Sequence, residues 1–316
     1  MKKRILGSTG LEVSELCIGT LPMGPMQANI PVDTGAAILI KAAENGVNFF
    51  DTAQVYRTYP YLRKVVQQFG NDVVISSKCN SPDYKGMEDA ITEAMRELGR
   101  DYIDIFLLHA ARIDETVFEQ RSGALEALIK AKEKGYIRFA GISSHHVSAV
   151  AKASEVPEID IVYPIINKAG IGILGGGLPE MLQSIELVRK SGKGMFAMKA
   201  LAGGHLVGEL LDAIGYVRAI PGMEVVSIGV ITMEELELQL QIFNDEKIDP
   251  VILAGLKAKK KLKIVPSLCK ACGLCIKSCP NDALSMAEPI PAVDREKCVL
   301  CGYCTPSCTQ FAIRLI

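Results

Sequence analysis

The feature that most narrows what this chain can become is an alternation. Over residues 16–243, short apolar runs take turns with segments whose apolar residues recur at helical spacing. The strand-like runs fall at 16–20, 47–50, 73–77, 102–108, 137–142, 159–166, 195–198 and 225–230. The helical segments fall at 33–44, 61–69, 86–98, 125–134, 147–153, 182–190, 206–219 and 233–243. Eight strand–helix units in strict alternation predict a (β/α)₈ barrel. Residues 1–12 read as a hairpin ahead of it, turning at Gly7-Ser8-Thr9-Gly10. The glycine-rich stretch 168–178 reads as a long loop, either a lid or a connector.

Three consecutive strand-like runs end on chemistry. Val47-Asn48-Phe49-Phe50 leads into Asp51, with Tyr56 five residues later. Lys78 closes the third run and His109 the fourth. A parallel barrel opens all its strand C-termini on one face, so these four side chains should converge there. They form a set suited to carbonyl reduction. Tyr56 is the acid that protonates a carbonyl oxygen. The Lys78 ammonium lowers its pKa from a free value of roughly 10. Asp51 keeps Lys78 charged and positioned, and His109 donates a hydrogen bond that orients the carbonyl.

In the order Asp51, Tyr56, Lys78, His109, and in the five-residue step from Asp51 to Tyr56, the chain resembles the aldo-keto reductase family over about residues 1–245. The resemblance implies a nicotinamide cofactor and an aldehyde or ketone substrate. It also implies cofactor contacts. Gly19 and Thr20 resemble the family's Gly-Thr element beside the nicotinamide. Ser143 and Ser144 stand where the family has Ser-Asn for the carboxamide, and Tyr163 where it has Gln. Met198 aligns with the Tyr that stacks on the ring, and sulfur against a ring is a workable contact. Lys199 can reach a pyrophosphate as a point charge. After the eighth strand, Gly229 and Thr232 occupy the 2′-phosphate region. Thr232 suits a helix N-cap, and a helix start attracts anions. Glu234 and Glu235 follow in place of the family's Lys and Arg and repel a phosphate. The expectation is weak preference for NADP(H), or use of NAD(H).

Ten cysteines are present, and eight lie between Cys269 and Cys308. Clustering at fixed spacing after a nearly cysteine-free stretch argues for metal ligation in a reducing compartment rather than disulfides. Cys269-x₂-Cys272-x₂-Cys275-x₃-Cys279 recurs as Cys298-x₂-Cys301-x₂-Cys304-x₃-Cys308. This repeat resembles bacterial-type ferredoxins with two [4Fe–4S] clusters, in which the fourth ligand of each cluster comes from the other repeat. The resemblance assigns Cys269, Cys272, Cys275 and Cys308 to one cluster, and Cys298, Cys301, Cys304 and Cys279 to the other. The remaining two cysteines, Cys17 and Cys79, read as packing residues.

The expected organisation is a barrel over 1–256, a basic linker over 257–265 and a small α+β ferredoxin-like domain over 266–316. A formal charge of −1 offers no footprint for nucleic acid, and no apolar run approaches a membrane span. The basic N-terminus lacks a signal-peptide core, so a cytoplasmic location is expected. Partners are a small carbonyl compound and, as a second class, a redox protein. Hydride carries two electrons and each cluster passes one, so flavin is an alternative cofactor for a protein that couples barrel and clusters. Three readings stand: a carbonyl reductase with a separate iron–sulfur domain, an electron-transfer enzyme, and a non-enzymatic redox adaptor.

Overall fold

The computed structural model describes residues 1–248, 251, 261–298, 304–305 and 307–315. A hairpin of β1 (Lys3–Ile5) and β2 (Glu12–Ser14) precedes eight parallel strands: β3 (Leu16–Gly19), β4 (Phe49–Asp51), β5 (Val74–Cys79), β6 (Ile103–His109), β7 (Ile137–Ser144), β8 (Ile161–Pro164), β9 (Gly194–Ala197) and β10 (Val225–Gly229). They close in the order β10-β3-β4-β5-β6-β7-β8-β9. The two-residue period of a strand sends neighbours to opposite faces. Phe49 accordingly joins the packed barrel interior with Val74, Ile105, Leu107 and Phe196, while Phe50 joins the layer beneath the helices. Leu6, Leu11 and Val13 of the hairpin belong to the interior cluster, and Ser8 N donates to Gly192 O just ahead of β9. The hairpin therefore stoppers the N-terminal end of the barrel and leaves the C-terminal face for chemistry.

Local chemistry moves several helix starts from their expected positions. The first helix, α1 (Val32–Glu44), follows Pro31 rather than an Asp33 or Thr34 cap, and α2 (Tyr59–Phe69) takes Pro60 into its first turn. Proline is tolerated there because first-turn N–H groups have no helical acceptor. Asp83 caps α3 (Tyr84–Leu98) by accepting from Gly86 N at 2.8 Å. The segment expected as helix over 206–219 is α-helical at Leu210–Arg218 and opens with a 3₁₀ turn at Val207–Glu209. Among the described residues, no helix is long and apolar enough to cross a membrane.

The second domain pairs β11 (Leu262–Ile264) with β14 (Ile313–Leu315) antiparallel, and β12 (Leu284–Ser285) with β13 (Ala292–Val293). A short helix (Leu274–Lys277) follows Gly273. Within the linker expected over 257–265, Leu262–Ile264 is strand. Leu262 and Ile264 are buried beside the C-terminal strand, because apolar residues at period 2 within the basic run have a partner strand to bury against. Residues 257–260 and Cys301 lie outside the described residues.

One buried ionic group ties three strands together. Asp104 on β6 accepts from Ile75 N on β5 (3.0 Å), from Arg100 Nη1 (2.9 Å) and from Arg138 Nη1 on β7 (3.0 Å). Removing the carboxylate leaves Arg100 buried without its ion pair. We expect Asp104→Ala to cost about 3–5 kcal/mol, read as a lower urea midpoint for barrel unfolding.

Candidate active site under an iron–sulfur roof

At the C-terminal ends of β4, β5 and β6 the four expected residues meet. Lys78 Nζ donates to both oxygens of Asp51 (2.8 and 2.6 Å) and to Thr52 O (2.8 Å), and both side chains are buried. Lys78 Nζ lies 4.9 Å from the Tyr56 ring centroid, and the Tyr56 ring meets His109 edge-on at 5.9 Å. Burial works to lower the Lys78 pKa, but Asp51 and Tyr56 more than offset it, so the ammonium is retained. Burial raises the Asp51 carboxyl while Lys78 opposes. With both carboxylate oxygens accepting from the ammonium, the pair is carboxylate and ammonium.

The tuning of Tyr56 departs from expectation. Lys78 does pull its pKa down, but desolvation pushes harder the other way, so the net shift is upward. A buried phenolate costs more than one ammonium already shared with Asp51 can return. Tyr56 is therefore held as the protonated acid. His109 is driven well below the ordinary imidazole range by burial first and then by Lys78, His145, Arg121 and Lys199, so its ring is neutral. Its buried Nδ1 has no protein partner. A neutral ring keeps one N–H to donate.

These residues line a cavity of about 550 Å³. Of the expected cofactor residues, Gly19, Ser143, Tyr163, Met198, Lys199 and Gly229 border it. The buried Ser143 Oγ lacks any partner and is open to a polar ligand group. Tyr163 stacks on Phe196 at 3.8 Å, with its hydroxyl 3.5 Å from Asp51 Oδ2, so it supports the tetrad from below. Thr20, Ser144 and Thr232 do not border the cavity, and each hydroxyl is engaged locally. Thr20 Oγ1 lies 2.7 Å from Thr58 Oγ1, Ser144 Oγ accepts from His146 N, and Thr232 Oγ1 caps the helix Met233–Phe243 by accepting from Glu235 N. Cys17 and Cys79 are buried and stand apart from the cavity wall.

Sequence reasoning missed the roof. Val265, Ser267, Leu268, Gln310, Phe311 and Arg314, all from the second domain, complete the cavity. Phe311 joins the main barrel core. It approaches the barrel loops so closely that a Cβ on Gly172 would stand 2.5 Å from its ring, and one on Gly203 3.1 Å. Both glycines have positive φ, a conformation L side chains rarely adopt. Thr305 Oγ1 meets His205 (2.7 and 2.9 Å to the two ring nitrogens), and Arg112 donates to Gln310 O. The 168–178 loop packs against this roof through Gly172 and does not itself border the cavity. A signal lay in the sequence, since Phe311 and Arg314 follow directly on the last cysteine, but nothing local tells which surface they face.

A second, smaller cavity is lined by Cys269, Cys272, Cys275 and Cys308. Backbone N–H groups point at cysteine sulfurs: Ala271 N at Cys269 (3.4 Å), Ala283 N at Cys279 (3.3 Å) and Ala312 N at Cys308 (3.3 Å). Such donors suit sulfurs that carry negative charge. Among the described residues no three His, Cys, Asp or Glu side chains gather tightly enough to hold a metal ion directly. Cluster ligands stand farther apart, because iron and sulfide lie between them.

Residues 15–246 match the sequence profile of the aldo/keto reductase family, and residues 262–285 that of a 4Fe-4S binding domain. The uncharacterized oxidoreductase YqkF of Bacillus subtilis is 23% identical over 309 residues, covering 84% of this chain and 98% of that protein. L-galactose dehydrogenase of Arabidopsis thaliana is 27% identical over 220 residues, covering 64% of this chain and 66% of that one. The solved structure of an aldo-keto reductase from Bacillus halodurans in its holo form superimposes with a TM-score of 0.65 at 21% identity, covering 82% of this chain and 96% of that one. At that identity the likeness concerns the fold.

Buried neutral histidines set the acid limit of this assembly. Burial, together with Lys199, Arg314 and Arg112, pushes His145 down to about 3; burial pushes His205 down to about 4. Unfolded, each titrates near about 6.5. Below that pH the unfolded chain takes up protons the folded chain refuses, so stability falls as pH drops from about 6.5 toward 4. We expect a lower urea midpoint at pH 5 than at pH 7, and a shallower pH dependence in His145→Gln.

Proposed function

This chain belongs to the aldo/keto reductase family, and from that premise we propose that its barrel reduces an aldehyde or ketone with a reduced nicotinamide, reversibly. The observation that carries this reading is the buried Asp51–Lys78 pair beside a protonated Tyr56 and a neutral His109 in one cavity. Ser143, Met198, Lys199 and the glycines Gly19 and Gly229 would hold the nucleotide, and the unpartnered Ser143 Oγ suits its carboxamide. When bound, a reduced nicotinamide supplies hydride to the carbonyl carbon.

The chain's own residues do the rest. His109 orients the carbonyl oxygen with its N–H. Tyr56 gives its proton to that oxygen as charge builds there. Lys78, fixed by Asp51, stabilises the phenolate left behind, and Tyr163 helps hold Asp51 in place. The roof excludes water and so strengthens each of these interactions. The glutamates at the start of the helix Met233–Phe243 argue for NAD(H), or for weak discrimination in favour of NADP(H). Glu235 already accepts from Ile231 N at 2.7 Å, which spends an amide an anion would want.

The 4Fe-4S domain is read as carrying two clusters, one on Cys269, Cys272, Cys275 and Cys308, the other on Cys279, Cys298, Cys301 and Cys304. The four cysteines around the smaller cavity support the first set, and the second rests on the spacing of the repeat. Clusters held by reduced thiolates suit the cytoplasm. One observation favours a second reading, in which the clusters exchange electrons with the barrel site. Gln310 borders both cavities, so the segment from Cys308 to Arg314 joins cluster ligand to active site directly.

Two outcomes test this account. Tyr56→Phe keeps the fold and nucleotide affinity, measured by calorimetry, and loses carbonyl reduction by at least about 100-fold; near-full activity would remove Tyr56 as the acid. Cys308→Ala lowers bound iron to about half, with the cluster on Cys279, Cys298, Cys301 and Cys304 retained.

A further inference from the structure

The cavity holds more positive charge than the proposed chemistry uses. Arg314, from the roof, is 4% exposed and lines the cavity, and its buried Nε has no hydrogen-bond partner. Its guanidinium stacks on Phe311, with Cζ 4.1 Å from the ring centroid. Lys199 reaches the same ring from the barrel, with Nζ 5.6 Å from the centroid, and borders the same space. Arg112 stands at the exposed rim three residues beyond His109. Among the described residues none of the three makes an ion pair. Arg112 and Arg314 reach only backbone carbonyls, of Gln310 and Ile313, and Lys199 meets only the Phe311 face.

The Cys308 thiolate is the anionic group whose field reaches Arg314, but no acceptor meets its Nε, and an anion that binds there relieves the cost of burying the guanidinium. Burial pushes Arg314 down to about 9, which leaves it charged at neutral pH. Lys199 and Phe311 both hold left-handed backbone, φ 63 and 50, a strain that persists only where the surroundings fix it. The charge lies on the side of the tetrad. Tyr56 feels the field of Arg314, and His109 that of Lys199. Arg314 comes from outside the barrel and borders the active-site cavity rather than the cysteine-lined one.

We propose that the substrate is an oxo acid, with its carboxylate held by Arg314 of the roof and its carbonyl presented to Tyr56 and His109. This rests on the reading of the barrel as a carbonyl reductase. In the reaction the C=O π bond breaks and C–H and O–H bonds form. The reduced nicotinamide gives the hydride and is oxidised, Tyr56 gives the proton, and the product is a hydroxy acid. The iron–sulfur domain is then part of the specificity pocket, because it supplies the guanidinium.

The test compares pyruvate, 4-oxobutanoate and 4-carboxybenzaldehyde, each against its methyl ester, on iron-replete protein. Binding is measured by calorimetry with oxidised nucleotide present, and turnover with reduced nucleotide. At least one acid is expected to bind about tenfold or more tighter than its ester. Arg314→Met is expected to erase that preference through KM, with little change in kcat or in nucleotide affinity, and Arg314→Lys to restore part of it. If Arg314→Met loses its cluster absorbance, Arg314→Gln, which keeps donors, takes its place. Acids that bind with this preference but are not reduced would uphold the anion site and overturn the reductase reading. Equal binding of every acid and its ester would overturn the proposal. A tenfold loss of nucleotide affinity in Arg314→Met with the acid preference intact would also overturn it, and would assign the guanidinium to the cofactor.

Discussion

A single buried ammonium organises this molecule. Lys78 sits at the floor of the cavity, and its charge is tolerable there only because Asp51 and Thr52 O accept all three of its hydrogen bonds. That arrangement needs β4 and β5 side by side, and the barrel register supplies it by pairing Asp51 with Ser76, two residues before Lys78. Tyr163 and Tyr56 then pack against the same charge from opposite demands. One hydroxyl approaches Asp51, and the other stays protonated because burial outweighs what Lys78 can offer it. The floor is thus a fixed electrostatic device, and its output is a proton held on Tyr56.

The upper half of the site is built by a different piece of chain. The barrel alone leaves its mouth open. The second domain closes it with the segment that follows the last cysteine, where Phe311 fills a space kept clear by Gly172 and Gly203. Gln310, Phe311 and Arg314 line the larger cavity a few residues beyond Cys308, and Gln310 borders the cysteine-lined cavity as well. The same few residues therefore shape the cavity mouth and its charge. A barrel separated from its iron–sulfur domain would lose a wall as well as a cofactor.

How much of this was legible in the sequence follows from how local each feature is. The barrel was readable because helix and strand periodicities are written residue by residue. The tetrad was readable because parallel strands share one exit face, so polar residues that close successive apolar runs must meet. The first cysteine repeat was readable as a 4Fe-4S binding element, which residues 262–285 match, because a loop around a cluster fixes its own intervals. Other features depend on partners distant in the chain. Thr20, Ser144 and Thr232 have the right residue types, but their hydroxyls are taken by Thr58, by His146 and by a helix start. The pKa of Tyr56 depends on depth of burial, which composition does not disclose. The roof depends on shape complementarity between two domains, and no spacing rule encodes that.

The most direct test of the central claim is an anaerobic absorbance titration of the iron-replete protein with NADPH and NADH, followed by addition of a carbonyl compound. The account predicts that nucleotide alone leaves the cluster band unchanged, and that on adding the carbonyl the nucleotide band falls, one equivalent for each alcohol formed. Bleaching of the cluster band by nucleotide alone would contradict it and would make electron transfer between barrel and clusters the function of the fold.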